Sequence, residues 1–290
     1  MDDVDILELI KQTENPYCYY LYAAYLEGKM EHLHYGYFDL GNETLLQAQE
    51  KLTQLVKSQI PPTTRRILDS GCGVCRTMCD LTSSGYDVTG ISPQHNVLQV
   101  ARKTYPAIAD KIVTARYQNF RSEKKFDLIL FQESSQYINA FSIFRNAAKL
   151  LDAGGHILIC DEVRYSSDVK LAFNSKDEML FFAAMFGFGL LYNRDITEKV
   201  LPSRKILVSI FNNRRNEFKA QFAATRVDFE REFSQLAAGW ESETEIFGKG
   251  LYGYEVFLFK KLDRKVRHGP VEFLKIFELY MRKIKRQIAG

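Results

Sequence analysis

The stretch ILDSGCGVCRTMCDL, residues 67–81, sets Cys72, Cys75 and Cys79 among Gly71 and Gly73 within nine positions. Two readings compete for it. Three thiolates at C-x2-C-x3-C spacing could hold zinc or an iron–sulfur cluster. No second CxxC and no HxxxH pair follows to complete a tetrahedral set. The other reading is a glycine turn: an apolar strand (Ile67, Leu68) runs into Asp69, then Gly71 and Gly73, then a helix. In doubly wound sheets ligands bind where the strand order reverses, beside such a turn. Glycine is needed there if a Cβ would forbid the bend or block a close approach of backbone. A lone GxG is a weak signal, but strand before, helix after and an acid at the strand end are the context a nucleotide-type cofactor requires. On this reading Cys75 and Cys79 lie one helical turn apart and serve packing.

Outward from the turn, the pattern alternates. Residues 86–92 (YDVTGIS), 111–118 (KIVTARYQ), 125–132 (KFDLILFQ) and 156–163 (HILICDEV) read as strands. Helices are predicted at 74–85, at 93–106 starting on proline, and at 140–155 closed by glycines. This order predicts a parallel sheet with helices on both faces. Further on, SKDEMLFFAAMFG reads as a helix and FGLLYNRDIT as a strand. LYGYEVFLFKKL, residues 251–262, alternates enough for an antiparallel edge strand. Helical, amphipathic pieces before residue 60 and over 198–246 have no place in the sheet and are expected to cap its ligand edge.

Composition sets outer limits. The 290 residues are 46% hydrophobic and 26% charged, with net charge +3, a soluble globular profile that does not by itself call for nucleic acid. Five cysteines in a chain of this length fit a reducing cytoplasm better than a disulfide framework. The longest apolar run, residues 179–192, contains two glycines and is too short to span a bilayer. The N-terminus lacks the basic and apolar regions of a signal peptide.

The position three after Gly73 is Arg76, so the dinucleotide GxGxxG fingerprint fails. LDSGCG, residues 68–73, instead resembles motif I of the class I S-adenosylmethionine (SAM)-dependent methyltransferases. Residues 86–102, 125–138, 147–163 and 187–197 resemble, in order, the later strands and turns of that family, and YGYEVFLFKK resembles its seventh strand. The resemblance implies an α/β, Rossmann-like, doubly wound seven-stranded sheet with an antiparallel last strand and a helical cap. It divides the chain into an N-terminal cap segment (1–59), a SAM-binding core (60–197), a cap insertion (198–246), the last core strand (247–262) and a basic C-terminal helix (263–290).

The same resemblance assigns roles. Asp69, Gly71, Cys72 and Gly73 would hold the methionine part of SAM. No acid ends the second strand, and Asp87 stands at its start. That departure resembles the branch holding cyclopropane-fatty-acid synthases and tocopherol-type or terpene C-methyltransferases, and makes Ser92 and Gln94 the ribose candidates. Asn119 and Phe120 fall where the family contacts adenine. HLHYGYFD, residues 32–39, resembles the HYGYW-like stretch of this branch, with Tyr35 closing over SAM and His34 nearby. The bland alternative is an aromatic staple holding the cap to the sheet. Glu133 follows an apolar strand at the ligand edge, where a carboxylate can accept a proton or stabilise a developing cation. Gln132 and Tyr137 would line the same pocket, with His34 as a second base candidate.

The expectation is therefore a SAM-dependent methyltransferase that yields S-adenosylhomocysteine. Its acceptor would be a small, apolar or aromatic molecule: a natural product, quinone or lipid-like compound. Alkene C-methylation or cyclopropanation, and a non-catalytic SAM-fold binding module, stay as alternatives. No metal and no nucleic-acid partner is expected. The tail, residues 263–290, carries eight Lys/Arg against three acids along an apolar stripe. It can lie on an anionic membrane or pack on the domain. A homodimer is a further open expectation.

Overall fold

The computed structural model describes residues 3–14, 16–28, 30–166 and 173–262. The basic C-terminal segment lies outside the described residues. Helices α1 (Asp3–Lys11), α2 (Tyr17–Gly28) and α3 (Leu45–Ser58) precede β1 (Arg66–Ser70). Then come α4 (Arg76–Ser83), β2 (Asp87–Ser92), α5 (His95–Thr104), β3 (Ile112–Thr114), β4 (Phe126–Gln132), α6 (Ala140–Leu150) and β5 (Leu151–Arg164). The chain continues through α7 (Lys176–Met185), β6 (Phe188–Asp195), α8 (Thr197–Asn213), α9 (Arg215–Phe222), α10 (Phe229–Gly248) and β7 (Tyr252–Lys261).

The seven strands lie in the order β3-β2-β1-β4-β5-β7-β6. β1 pairs in parallel with β2 and β4, and β7 pairs antiparallel with both β5 and β6. The order reverses between β1 and β4, so the glycine turn after β1 and the loop after β4 open at the same edge. Capping boxes start two helices, Thr44 with Gln47 on α3 and Ser175 with Glu178 on α7.

Two expectations need correction. β7 is not an edge strand: it lies between β5 and β6, and Tyr252 to Leu258 are buried without a break. Its apparent alternation comes from Gly253 and Glu255, both covered. The glycines at 154 and 155 do not close α6. That helix ends at Leu150, and β5 begins at Leu151.

The cap is aromatic at its centre. Tyr19 of α2 meets Phe222, Phe229 and Phe233 edge-on, with centroids 5.0, 6.0 and 5.7 Å away. Each such pair adds about 0.5–1.5 kcal/mol beyond the area it buries. Helix α8 then fastens the segment before α3 to the cap. Ser203 Oγ accepts from Gly36 N–H at 2.7 Å, and Arg204 donates to Tyr35 Oη at 2.7 Å. Gly36 itself is pressed on α3, where a Cβ would come within 2.5 Å of Ala48 Cβ.

Candidate active site

The ends of β1, β2, β4 and β5 open into a cavity of about 610 Å³, closed from above by the segment 31–35 and by α2, α8 and α10. Its wall contains Asp69, Gly71, Cys72, Gly73, Ser92, Gln94, Gln132, Glu133, His34, Tyr35 and Tyr137 among the sequence candidates. Two candidates are absent from it. The wall after β3 is made by Ala115, Arg116, Tyr117 and Gln118, not Asn119 and Phe120. A short 3-10 turn at Tyr117–Asn119 leaves Asn119 exposed and lets Phe120 pack against the core.

The opening stretch is a turn. Gly71, Gly73 and Cys75 have φ of +87°, +50° and +63°. The N–H groups of Gly71 and Cys72 both donate to Ile91 O, at 2.7 and 3.1 Å, which ties the turn to β2. The Cys72 and Cys75 sulfurs lie 3.4 Å apart, and Cys79 is carried on α4. Among the described residues no group of three or more His, Cys, Asp or Glu side chains is placed to hold a metal ion.

At the glycine end, several buried polar atoms lack a partner among the described residues: Asp69 Oδ2, Gln132 Nε2, and both ring nitrogens of His32. Native interiors rarely leave such atoms unpaired. All three side chains line the cavity, so the wall suits a polar, zwitterionic group such as the amino-acid end of SAM. Asp69, 3% exposed, is pushed up to about 7 by burial. Burial, helped by His34 and Arg76, lowers His32 to about 3 and keeps it neutral. Asp87, by contrast, pairs with Lys111 and Lys124 at the far end of β2.

Sequence reasoning named His34 rather than His32. His34 has both nitrogens occupied, by Tyr35 O at 2.7 Å and Thr53 Oγ1 at 3.1 Å, and this leaves none for proton transfer. The two rings lie two residues apart in HLHYGY and both line the cavity, and nothing in that spacing says which one keeps its nitrogens without a protein partner among the described residues. Tyr35 is likewise anchored: its hydroxyl accepts from Arg204, and Glu162 Oε1 lies 3.4 Å away.

Glu133 lies on the cavity wall, bonded to both the cap segment and β7. It has φ +54°, a left-handed conformation that costs a non-glycine residue and recurs at functional sites. Its Oε1 accepts from Tyr35 N–H at 2.5 Å and from Tyr254 O–H at 2.7 Å. Burial, opposed by these two donors, raises its pKa well above the carboxylate range; Asp161 and Glu162 add to the rise. The loop that follows is held by Asp161, whose Oδ2 accepts from Ser135 N–H, Ser135 O–H and Gln136 N–H at 2.7, 2.7 and 3.2 Å. Tyr137, at 75% exposed, stands at the rim.

Residues 68–159 match the family model described as a methyltransferase domain. This stretch is similar to a methyltransferase domain. The chain is 30% identical over 139 residues to a 27-O-demethylrifamycin SV methyltransferase of Amycolatopsis mediterranei (strain S699), covering 45% of this chain and 51% of that protein. An O-methyltransferase of Pyrenophora dematioidea is 29% identical over 142 residues, with 45% and 53% covered. The chain thus spans about half the length of these curated relatives. In fold it is similar to a cyclopropane synthase of Mycobacterium tuberculosis, with TM-score 0.68, 15% identity, and 90% of this chain and 95% of that one covered. No helix among the described residues is long and apolar enough to cross a membrane.

We propose Asp69 as the partner of the SAM ammonium group, and a pH dependence follows. Pairing with an ammonium group requires the ionised carboxylate, while burial favours the neutral acid. SAM affinity should therefore rise with pH from about 5 to about 7, by up to roughly tenfold per unit, and level off above. Glu162 and Asp161, at about 7 and about 6, titrate in the same range. Asp69's share is the part of the slope lost in Asp69→Asn, which should also weaken binding about ten- to a hundredfold by calorimetry.

Proposed function

We propose that this chain transfers the methyl group of SAM to a small acceptor with an aromatic or apolar body, with Glu133 as the proton acceptor. When bound, SAM supplies an electrophilic methyl carbon on a cationic sulfonium, and S-adenosylhomocysteine is the product. Asp69, His32 and Gln132 would hold its amino-acid end, and Ser92 and Gln94 the ribose. Methyl transfer asks a protein mainly to align nucleophile and methyl carbon and to keep water out. The buried aromatic wall above the cavity suits that task.

The observation that carries this reading is Glu133. A carboxylate held at one oxygen by two donors, on a strained residue, keeps a fixed position in the cavity wall. The test is calorimetric titration with SAM and S-adenosylhomocysteine, followed by mass spectrometry for S-adenosylhomocysteine made in the presence of an acceptor panel. Micromolar binding and acceptor-dependent product are expected, and absence of binding would reject the reading. Binding without turnover on any acceptor would favour a SAM-fold binding module. The aromatic chamber also suits a carbocation, so a product with a new carbon–carbon bond would point to alkene C-methylation or cyclopropanation.

A further inference from the structure

Beyond Glu133 the cavity continues into a chamber between α2, α8, α10 and the end of β5. Its charge is lopsided. Among the described residues three carboxyl groups line it, Glu133, Glu162 and Glu243, against one cation, Arg204. That guanidinium is 1% exposed and already committed. Its Nη1 donates to Glu162 Oε1 at 2.5 Å and to Tyr35 Oη at 2.7 Å, and its Nη2 donates to Glu243 at 3.2 Å. It is also packed against the rings of Tyr35, Trp240, Phe247 and Tyr252, 5.0 to 5.6 Å from their centroids. The other cations on the cavity wall, Arg76 and Arg116, come from α4 and the turn after β3, at the cofactor end.

Facing the carboxylates is a run of stacked rings. Tyr17 lies 5.9 Å from Tyr20, and Tyr20 lies 6.1 Å from Trp240 with the planes 3° apart. Ring faces and carboxylates both attract cations, and the attraction grows when water is removed. Among the described residues, an anionic acceptor would meet three carboxyl groups at this end and a single guanidinium already bonded to two of them. We propose that the acceptor is an organic amine with an aromatic or apolar body, held as its cation by Glu243 and the Tyr20–Trp240 face before it loses a proton to Glu133.

This rests on the methyltransferase reading and narrows it to nitrogen. The amine lone pair forms the N–C bond, and the C–S bond breaks with its electrons kept on sulfur. The proton removed from nitrogen passes to the Glu133 carboxylate and then to solvent. Glu162 stays with Arg204 and holds it in place.

The test is equilibrium binding to the full chain saturated with S-adenosylhomocysteine, using phenethylamine, phenethyl alcohol and hydrocinnamate as probes. The amine should bind about tenfold more tightly than the alcohol, and hydrocinnamate more weakly than either. Glu243→Gln and Trp240→Leu should each weaken the amine about tenfold more than they weaken the alcohol, with the S-adenosylhomocysteine affinity unchanged. Alcohol or carboxylate binding as tight as the amine would overturn the amine assignment alone, as would amine binding indifferent to both substitutions. A chain that takes up no S-adenosylhomocysteine would overturn the underlying reading as well.

Discussion

Glu133→Gln is expected to lower turnover by about 10²- to 10⁴-fold, the range typical of a lost general base, while SAM affinity stays within about twofold of the parent. The amide keeps the size of the carboxyl group, and its oxygen can still accept from Tyr35 N–H and Tyr254 O–H. What it loses is the ability to take a proton. The parent should also show a pH dependence that the variant lacks. Tyr17, Tyr20 and Tyr137 line the same cavity, and Asp161 and Glu162 of β5 and Tyr254 of β7 lie close by. Burial among them raises the Glu133 pKa. Activity should therefore increase with pH through a midpoint above the usual carboxylate range, because the reactive form is the ionised one. A sulfonium charge in the cavity would draw that midpoint back down. Equal turnover by variant and parent, measured as S-adenosylhomocysteine formed, would remove Glu133 from the chemistry.

The second large effect concerns Gly71→Ala. A methyl group there would lie 2.3 Å from Ser134 Cβ and 2.8 Å from Ser134 Oγ, at a residue with φ +87°. Ser134 has no room to yield, since its hydroxyl donates to Ser70 O at 2.5 Å. Backbone strain and overpacking together should cost about 2–5 kcal/mol, read from denaturant unfolding. SAM binding should fall with it, because the turn positions Asp69 and Cys72. Adding Ser134→Gly relieves the overlap but not the strain, so the double variant should regain only part of the loss. A Gly71→Ala protein as stable as the parent would refute the account.

That glycine also marks where sequence reasoning stops. LDSGCG identified the turn, its acid and its place beside the switch point. The reason expected for Gly71 was backbone approach to a cofactor; the structure shows in addition that the loop after β4 occupies the space a side chain would need. Such a cause is tertiary and leaves no local mark. The same holds for Arg204, Trp240 and Glu243. They come from amphipathic helices whose pattern separates buried from exposed faces but does not reveal which polar residue turns inward. Glu162 was within reach: like Glu133, it is an acid at the end of an apolar strand. Asn119 and Phe120 lie off this cavity wall, where a three-residue 3-10 turn places them. β7 was misplaced to an edge because its polar-looking positions are covered by neighbours on both sides.

The Arg204–Glu162 pair decides how molecules get in. It joins the cap to the sheet through charges that are nearly water-free, 1% and 4% exposed at the side chains. Lifting the cap would strand both ions, at a cost of about 3–5 kcal/mol if either loses its partner without rehydration. The easier doorway is the side where Tyr137 already stands in solvent. Traffic should pass over that threshold while the roof stays bolted.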